Sequence, residues 1–257
     1  MSESVVLVSK DNGIATVTLN RPESLNALNS ELRSRFCRAM QDLRADQEVG
    51  CVIITGAGRA FCAGLDLKEI STEQLRQMGG ANFISVIEDM DVPVIAAVNG
   101  FAVTGGFELA LACDIMLASD TARFADTHGR VGVMPGGGMT ARLPRAVGIR
   151  KAKELSLTGN YLSAQEAEKL GLVNRVVPKE KLMDAARELA GQILSVDPLM
   201  TRQLKRLYDL TSRATLADAI RIEQDFSRAH SLSRDLGDME TRRRLVMERG
   251  RVQKANR

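Results

Sequence analysis

The hydrophobic positions fall into three kinds of run. Val5 to Lys10 and Ile14 to Asn20 alternate apolar and polar in places, and Asp11-Asn12-Gly13 between them has the residues of a tight hairpin turn, which predicts two antiparallel strands. Cys51 to Thr55 and Val92 to Val98 are short and apolar throughout, the pattern of strands buried on both faces. Leu32, Phe36, Met40 and Leu43 recur at helical spacing behind Asn29 or Ser30, either of which can cap the helix. Arg21-Pro22 stops the second strand before it.

The chain is organised around Asn99 to Cys113, NGFAVTGGFELALAC, which reads strand exit, glycine turn, buried helix. Gly105 and Gly106 lie where that helix begins, and the first N–H groups of a helix have no partner inside it. Glycine also lets a ligand approach the backbone closely. Glu108 follows Gly105 by three positions, so its carboxylate sits one turn along on the same face. A donor and a carboxylate can then flank one reacting group. The competing reading is that the glycine pair permits close helix packing and Glu108 merely favours the helix N-terminus.

Phe61 to Glu69 forms a small-residue bend, followed by a helix expected to end near Met90. Asp114 to Ala118 and Ala122 to Ala125 predict further short strands, and Met134 to Thr140 is another glycine-rich turn before a helix. Gly159 closes a helix from about Arg150; Ser163-Ala164-Gln165-Glu166 opens a short one that Gly171 ends. Leu172 to Val177 is the last expected strand. From Lys179 the chain is expected to be helical, with a boundary between Ser195 and Pro198 that separates a main domain, 1–195, from a helical region, 196–257. That region is amphipathic through Leu204, Leu207 and Leu210, then Leu216, Ile220 and Phe226, then Met239, Leu245 and Val246.

Composition narrows the classes. With 44% hydrophobic and 26% charged residues over 257 positions, the chain reads as an ordinary globular protein. Cys37, Cys51, Cys62 and Cys113 are scattered, without a C-x-x-C pair, which argues against a disulfide framework or zinc site and for a reducing compartment, with cytoplasm as the default. The opening MSESVVLVSK lacks a basic start before an apolar core, and no run approaches a membrane span, so secretion and a membrane partner are not expected. Residues 201–257 hold 14 Lys/Arg against 8 Asp/Glu, so the overall charge of +3 comes from this tail. The tail's only aromatic residues are Tyr208 and Phe226, too few stacking platforms for a nucleic-acid partner. Gly56-Ala57-Gly58 begins like a dinucleotide fingerprint, but Phe61 stands where the third glycine belongs; Gly136-Gly137-Gly138 lacks the G-K-[ST] ending of a P-loop.

Three segments together resemble the crotonase family, also called the enoyl-CoA hydratase/isomerase family: F-C-A-G-L-D-L-K-E at 61–69, N-G-F-A-V-T-G-G-F-E-L-A-L-A-C-D at 99–114, and R-F-A-D to M-P-G-G-G at 123–138. L-N-R-P-E-S-L-N-A-L at 19–28 and L-T-G-N-Y-L-S-A-Q-E-A at 157–167 agree in order and spacing, and the likeness spans roughly residues 5 to 200. The resemblance implies an α/β spiral of repeated ββα units with a C-terminal helical region used in trimerisation, as a homotrimer or homohexamer. It also implies a coenzyme A thioester substrate with no separate cofactor, whose carbonyl oxygen sits between the backbone N–H groups of Ala63 and Gly105. Ala63, Gly64, Leu65, Asp66, Lys68 and Gly105 are thereby assigned to substrate binding.

Family hydratases have two glutamates over the reacting carbons. Glu108 matches the first; the position of the second, counted from Phe124 and Pro135, is His128. An imidazole exchanges protons near neutrality, so Glu108 and His128 are chemically sufficient as an acid–base pair, and the alternative is a loop histidine facing solvent or held structurally. His230 reads as structural or exposed. Family isomerases typically keep the second glutamate and not the first, the reverse of this chain. Hydration of a trans-2-enoyl-CoA is therefore the expected reaction, with hydrolysis or decarboxylation of an acyl-CoA, or acyl-CoA binding without turnover, as alternatives. Lys68 and Arg242 to Arg244 are candidate phosphate contacts or solvated charges, and Glu23 stands where the family often has a lysine beside the ligand. Asp66 either orders its loop near the adenosine portion or only stabilises the turn. The acyl pocket is expected to draw on residues around 70–90 and on the tail.

Overall fold

The computed structural model describes residues 4–68, 83–233 and 239–255. Strands β1 (Val6–Asp11) and β2 (Ile14–Leu19) pair antiparallel through a turn in which Asn12 and Gly13 both have positive φ, 49° and 79°. Both central residues of a primed hairpin turn need that conformation, and Asn-Gly adopts it readily.

Beyond the hairpin the chain winds between two sheets. Strands β3 (Cys51–Gly56), β5 (Val94–Val98) and β7 (Ile115–Ser119) lie parallel in a six-stranded sheet of order β1-β2-β3-β5-β7-β10, where β10 is Arg175–Val177. Each is followed by a short strand in a four-stranded sheet: β4 (Ala60–Cys62), β6 (Phe101–Val103) and β8 (Arg123–Ala125), with β9 (Leu162–Ser163) at its edge. Helix Gly105–Ala112 completes the β5-β6 unit. The fold is thus an α/β spiral of ββα turns. The second sheet is where pattern reading falls short: β4 and β6 lie in stretches expected to be bends, because strands of three residues are too short to show a period.

Strand parity divides the core. Cys51 and Ile53 point with Ile95, Ala97 and Leu117 onto Leu182, Ala185, Ala186 and Ala190 of helix Leu182–Leu194; Val52 and Ile54 point the other way into the main core with Phe36, Phe61, Phe107 and Phe124. Both faces of the central sheet are covered, as the apolar runs imply. The predicted helix at Leu32 to Leu43 is Ser30–Ala45, with Asn29 as cap: its side chain accepts from the Leu32 N–H at 2.8 Å. Ser163 and Glu166 form the expected capping box. In the stretch expected to be helical before Met90, Ser85–Glu88 forms a short helix; residues 69–82, which hold part of the acyl pocket expected around 70–90, lie outside the described residues.

The chain divides into two compact units, 1–205 and 206–257. The sequence boundary at Ser195–Pro198 marks where helix Pro198–Thr211 begins, but the first unit holds on to that helix as far as Lys205. Lys205 Nζ lies 2.6 Å from Asp114 Oδ1 within that unit, with only 9% of the lysine side chain exposed. Within the second unit, Arg206 lies over the Phe226 ring at 5.8 Å, while Leu216, Ile220, Leu245, Val246 and Met247 are exposed.

Candidate active site

Two backbone bends approach each other. Leu28 N–H donates to Gly64 O at 2.7 Å and Asp66 N–H donates to Leu28 O at 3.3 Å, a parallel bridge that turns the intervening Leu65 N–H to the opposite side. On that side lies Gly105: a Cβ added there would stand 3.7 Å from Gly64 Cα and 3.8 Å from the Leu65 nitrogen. Gly64 needs its own lack of a side chain, since its φ is 91° and a Cβ would meet Val103 O at 2.9 Å. No hydrogen bond among the described residues uses the N–H of Leu65 or Gly105.

This corrects the assignment of Ala63. Its N–H donates to Leu25 O at 3.0 Å, inside the fold, and is not available to a substrate oxygen. Gly64 O and the Asp66 N–H are both taken by Leu28, which leaves the Leu65 N–H turned away from that bridge and toward Gly105, so the donor that faces Gly105 belongs to Leu65. The glycine pair also resolves into two roles. A Cβ on Gly106 would fall 2.1 Å from Cys62 O, so Gly106 serves packing; at Gly105 the nearest atom is 3.4 Å away, ordinary contact. Thr104, which precedes them, has φ 52° and ψ −114°, a conformation non-glycine residues rarely adopt, and is held by its N–H to Ala125 O at 2.9 Å and its hydroxyl to Thr127 at 2.6 Å.

The side chains converge from three elements. Glu108, only 4% exposed on helix Gly105–Ala112, accepts through Oε1 from the N–H groups of Gly137 (2.8 Å) and Met139 (3.1 Å). The third glycine turn therefore serves as a clamp on this carboxylate, and a Cβ on Gly137 would press on Ile84 Cδ1 at 2.5 Å and on Glu108 Oε2 at 2.7 Å. Oε2 faces His128 Nε2 at 3.7 Å. His128 is buried, 5% exposed, at the start of helix His128–Val131, so the solvent-facing alternative does not hold. Its Nδ1 lies 2.6 Å from Asp126 Oδ1, which also accepts from the His128 backbone N–H at 3.2 Å; Ser156 Oγ donates to Asp126 Oδ2 at 2.5 Å. Burial raises the Asp126 carboxyl, but the bonds from the His128 ring, the Ser156 hydroxyl and the His128 backbone outweigh it and hold the group below its ordinary value.

Asp126 and Ser156 carry this arrangement, and sequence reading did not single them out. The available signal was the spacing Asp-x-His, which fits a turn equally well. Asp66 orders its loop: its carboxylate pairs with Arg21 Nη1 at 2.9 Å and accepts from the Lys68 N–H at 3.2 Å. Arg21 also donates to Ala27 O at 2.6 Å, and buried Asn26 donates to Ala57 O and Ala60 O, so the 19–28 segment braces the Gly64 bend. Lys68 is exposed, as are Arg243 and Arg244, while Arg242 is half-buried; Glu23 sits in a short 3-10 turn, Pro22–Ser24. The cysteines are all free, and burial pushes the Cys51 and Cys62 thiols up to about 12.

The sequence model of the enoyl-CoA hydratase/isomerase family matches residues 9–239. A probable peroxisomal enoyl-CoA hydratase of Arabidopsis thaliana is 40% identical over 243 residues, 90% of this chain and 88% of that protein. A short-chain-enoyl-CoA hydratase of Clostridium acetobutylicum is 40% identical over 226 residues, covering 86% and 87%. The crystal structure of an enoyl-CoA hydratase from Bacillus anthracis superposes with a TM-score of 0.84 at 34% identity, covering 93% of this chain and 96% of that one.

Proposed function

Because the chain belongs to the enoyl-CoA hydratase/isomerase family, we propose that it is a hydro-lyase that adds water across the 2,3 double bond of a trans-2-enoyl-CoA. The observation that carries this reading is the pair of buried acid–base groups, Glu108 Oε2 and His128 Nε2, 3.7 Å apart and one helical turn from the Gly105 N–H. That separation is too long for a direct hydrogen bond, yet one water off the line between the two atoms reaches both at ordinary distance.

In this reading the thioester oxygen accepts from the Leu65 and Gly105 N–H groups, and the water oxygen bonds to Cβ as one of its protons passes to the base. Electron density moves through Cα onto the thioester oxygen, giving an enolate-like species; a proton from the Glu108–His128 pair, which has just gained one from the water, then passes to Cα and restores the carbonyl. Fixed N–H dipoles aimed at the developing charge contribute about 10²–10³ in rate per donor, and each positioned proton-transfer group about 10²–10⁴. Asp66, Lys68 and the Gly64 bend form the rim on which the coenzyme A portion rests, and the compartment is the cytoplasm, testable by fractionation; among the described residues no helix is long and apolar enough to cross a membrane. The exposed Leu216, Ile220, Leu245, Val246 and Met247 of the second unit support assembly as a homotrimer or homohexamer, which light scattering would measure.

The test is turnover of a panel of enoyl-CoA thioesters from short to long chain, read as loss of the conjugated thioester absorbance, by wild type, Glu108→Gln and His128→Ala. Hydration by wild type with loss in both variants supports the reading; inertness of wild type across the panel overturns it. His128 in place of a second glutamate favours one other reading, a different reaction on an acyl-CoA, which product mass would identify. An acyl-CoA binder without turnover instead predicts tight binding unaffected by Glu108→Gln.

A further inference from the structure

We infer that Asp126, braced by Ser156, is a positioning residue that fixes which nitrogen of His128 faces the reacting atoms: Nδ1–H is held by Asp126, and Nε2 presents its lone pair beside Glu108. The inference rests on the reading that His128 takes part in proton transfer, and it adds a part that the glutamate-to-histidine exchange makes necessary. A carboxylate has two equivalent oxygens and needs no tautomer chosen for it. A neutral imidazole has one donor and one acceptor nitrogen, and only one of its two tautomers is a base toward the cleft.

Asp126 meets that need in three ways. Its Oδ1 takes the ring Nδ1 at 2.6 Å and the same residue's backbone N–H at 3.2 Å, so one oxygen fixes both the ring and the main chain that carries it. Its Oδ2 takes the Ser156 hydroxyl at 2.5 Å, from helix Ile149–Thr158, which prevents the carboxylate from rotating away. Asp126 is 1% exposed, and a carboxylate so placed is retained at the expense of its hydration unless hydrogen bonds replace the water. Among the described residues, the hydrogen bonds to its carboxylate come from His128 and Ser156. With Nδ1 occupied, Nε2 is the ring nitrogen left to face Glu108 Oε2.

The chain has only two histidines, His128 and His230, so NMR of the full-length protein labelled isotopically at the imidazole nitrogens reads the tautomer directly, with His230→Gln giving the assignment. In wild type the neutral His128 ring carries its proton on Nδ1; a proton on Nε2 overturns the inference. Asp126→Ala leaves Nδ1 without its acceptor, moves the proton to Nε2 and lowers kcat about 10²-fold or more, within the range of a positioned proton-transfer group, while KM stays within about twofold. Asp126→Asn keeps an oxygen acceptor toward both His128 N–H groups, so it retains the Nδ1–H tautomer and recovers most of kcat. If Asp126→Ala folds with tautomer and kcat unchanged, or if Asp126→Asn keeps the tautomer but is as inactive as His128→Ala, position is not what Asp126 supplies and the inference fails. Should Asp126→Ala not fold, the wild-type tautomer and Asp126→Asn decide. A wild type that holds Nδ1–H yet is inert toward every enoyl-CoA defeats the hydratase reading and leaves the tautomer assignment standing.

Discussion

At Gly64–Leu65 and Thr104–Gly105 the site is made of backbone; at Glu108, Asp126 and His128 it is made of side chains, and the two parts depend on different features of the sequence. The backbone part needs glycine where a Cβ would strike a neighbouring main chain, as at Gly64 against Val103 O and Gly106 against Cys62 O. Its donors are indifferent to side-chain identity, so it can serve any reaction that drives charge onto a thioester oxygen. The side-chain part selects among those reactions. It depends on which titratable groups meet, and here a carboxylate faces an imidazole across 3.7 Å. The backbone bends define what is bound, and the side chains define what is done to it.

The sharpest way to break that division is to change one part without the other. Glu108→Gln is expected to lower kcat by about 10²–10⁴ while leaving thioester binding and melting temperature nearly unchanged, since an amide oxygen can still accept from Gly137 and Met139. A parallel loss of binding, read by calorimetric titration, would show that the two parts are not separable. Gly105→Ala and Gly106→Ala make a matched pair one residue apart. The first places a methyl at ordinary contact distance in the gap before Leu65 and is expected to lose about 10²–10³ in rate with its stability retained. The second drives a methyl into Cys62 O and is expected to lose about 1–3 kcal/mol or more of stability, measured by denaturant unfolding.

Smaller effects sharpen the same contrast. Arg21→Ala leaves the Asp66 carboxylate buried without its cation and is expected to lose about 1–3 kcal/mol, with KM rising more than kcat falls because the Gly64 bend loosens. Asp126 gives a pH signature to the side-chain part. Its carboxyl lies below the ordinary value in the folded state, so its contribution is present above the unfolded carboxylate pKa of about 3.9 and is lost as pH falls through the folded value. Urea midpoints for wild type should decline over that acid range, and Asp126→Asn should flatten the decline. Least of all, Cys51 and Cys62 are expected to resist alkylation in the native protein, because burial keeps both thiols protonated far above neutrality.

The backbone part was largely legible in the sequence and the side-chain part only half so, for reasons the particular residues make plain. Glycines at 64, 105 and 106 mark close approach wherever they occur, and Glu108 falls on the right helix face by spacing alone. Which N–H faces the cleft was not legible. Ala63 and Leu65 are distinguished by partners far away in the chain: the Ala63 N–H is spent on Leu25 O, while the bridge to Leu28 turns the Leu65 N–H the other way. The pairing of Asp126 with Ser156 depends on the packing of helix Ile149–Thr158 against the loop after β8, which no local pattern encodes. For the same reason β4 and β6 carry no signature of their own: each is defined by the strand it pairs with, Ala60 with Phe101 and Phe101 with Arg123, and not by its own residues.

The most direct measurement is the fate of solvent oxygen. Wild-type protein, a conjugated enoyl-CoA and heavy-oxygen water should yield a 3-hydroxyacyl-CoA carrying one heavy oxygen on Cβ and none in the thioester carbonyl, with the yield collapsing in Glu108→Gln. A free acid labelled at its carboxyl group, or a thioester recovered unlabelled with its double bond intact or moved, would contradict the account.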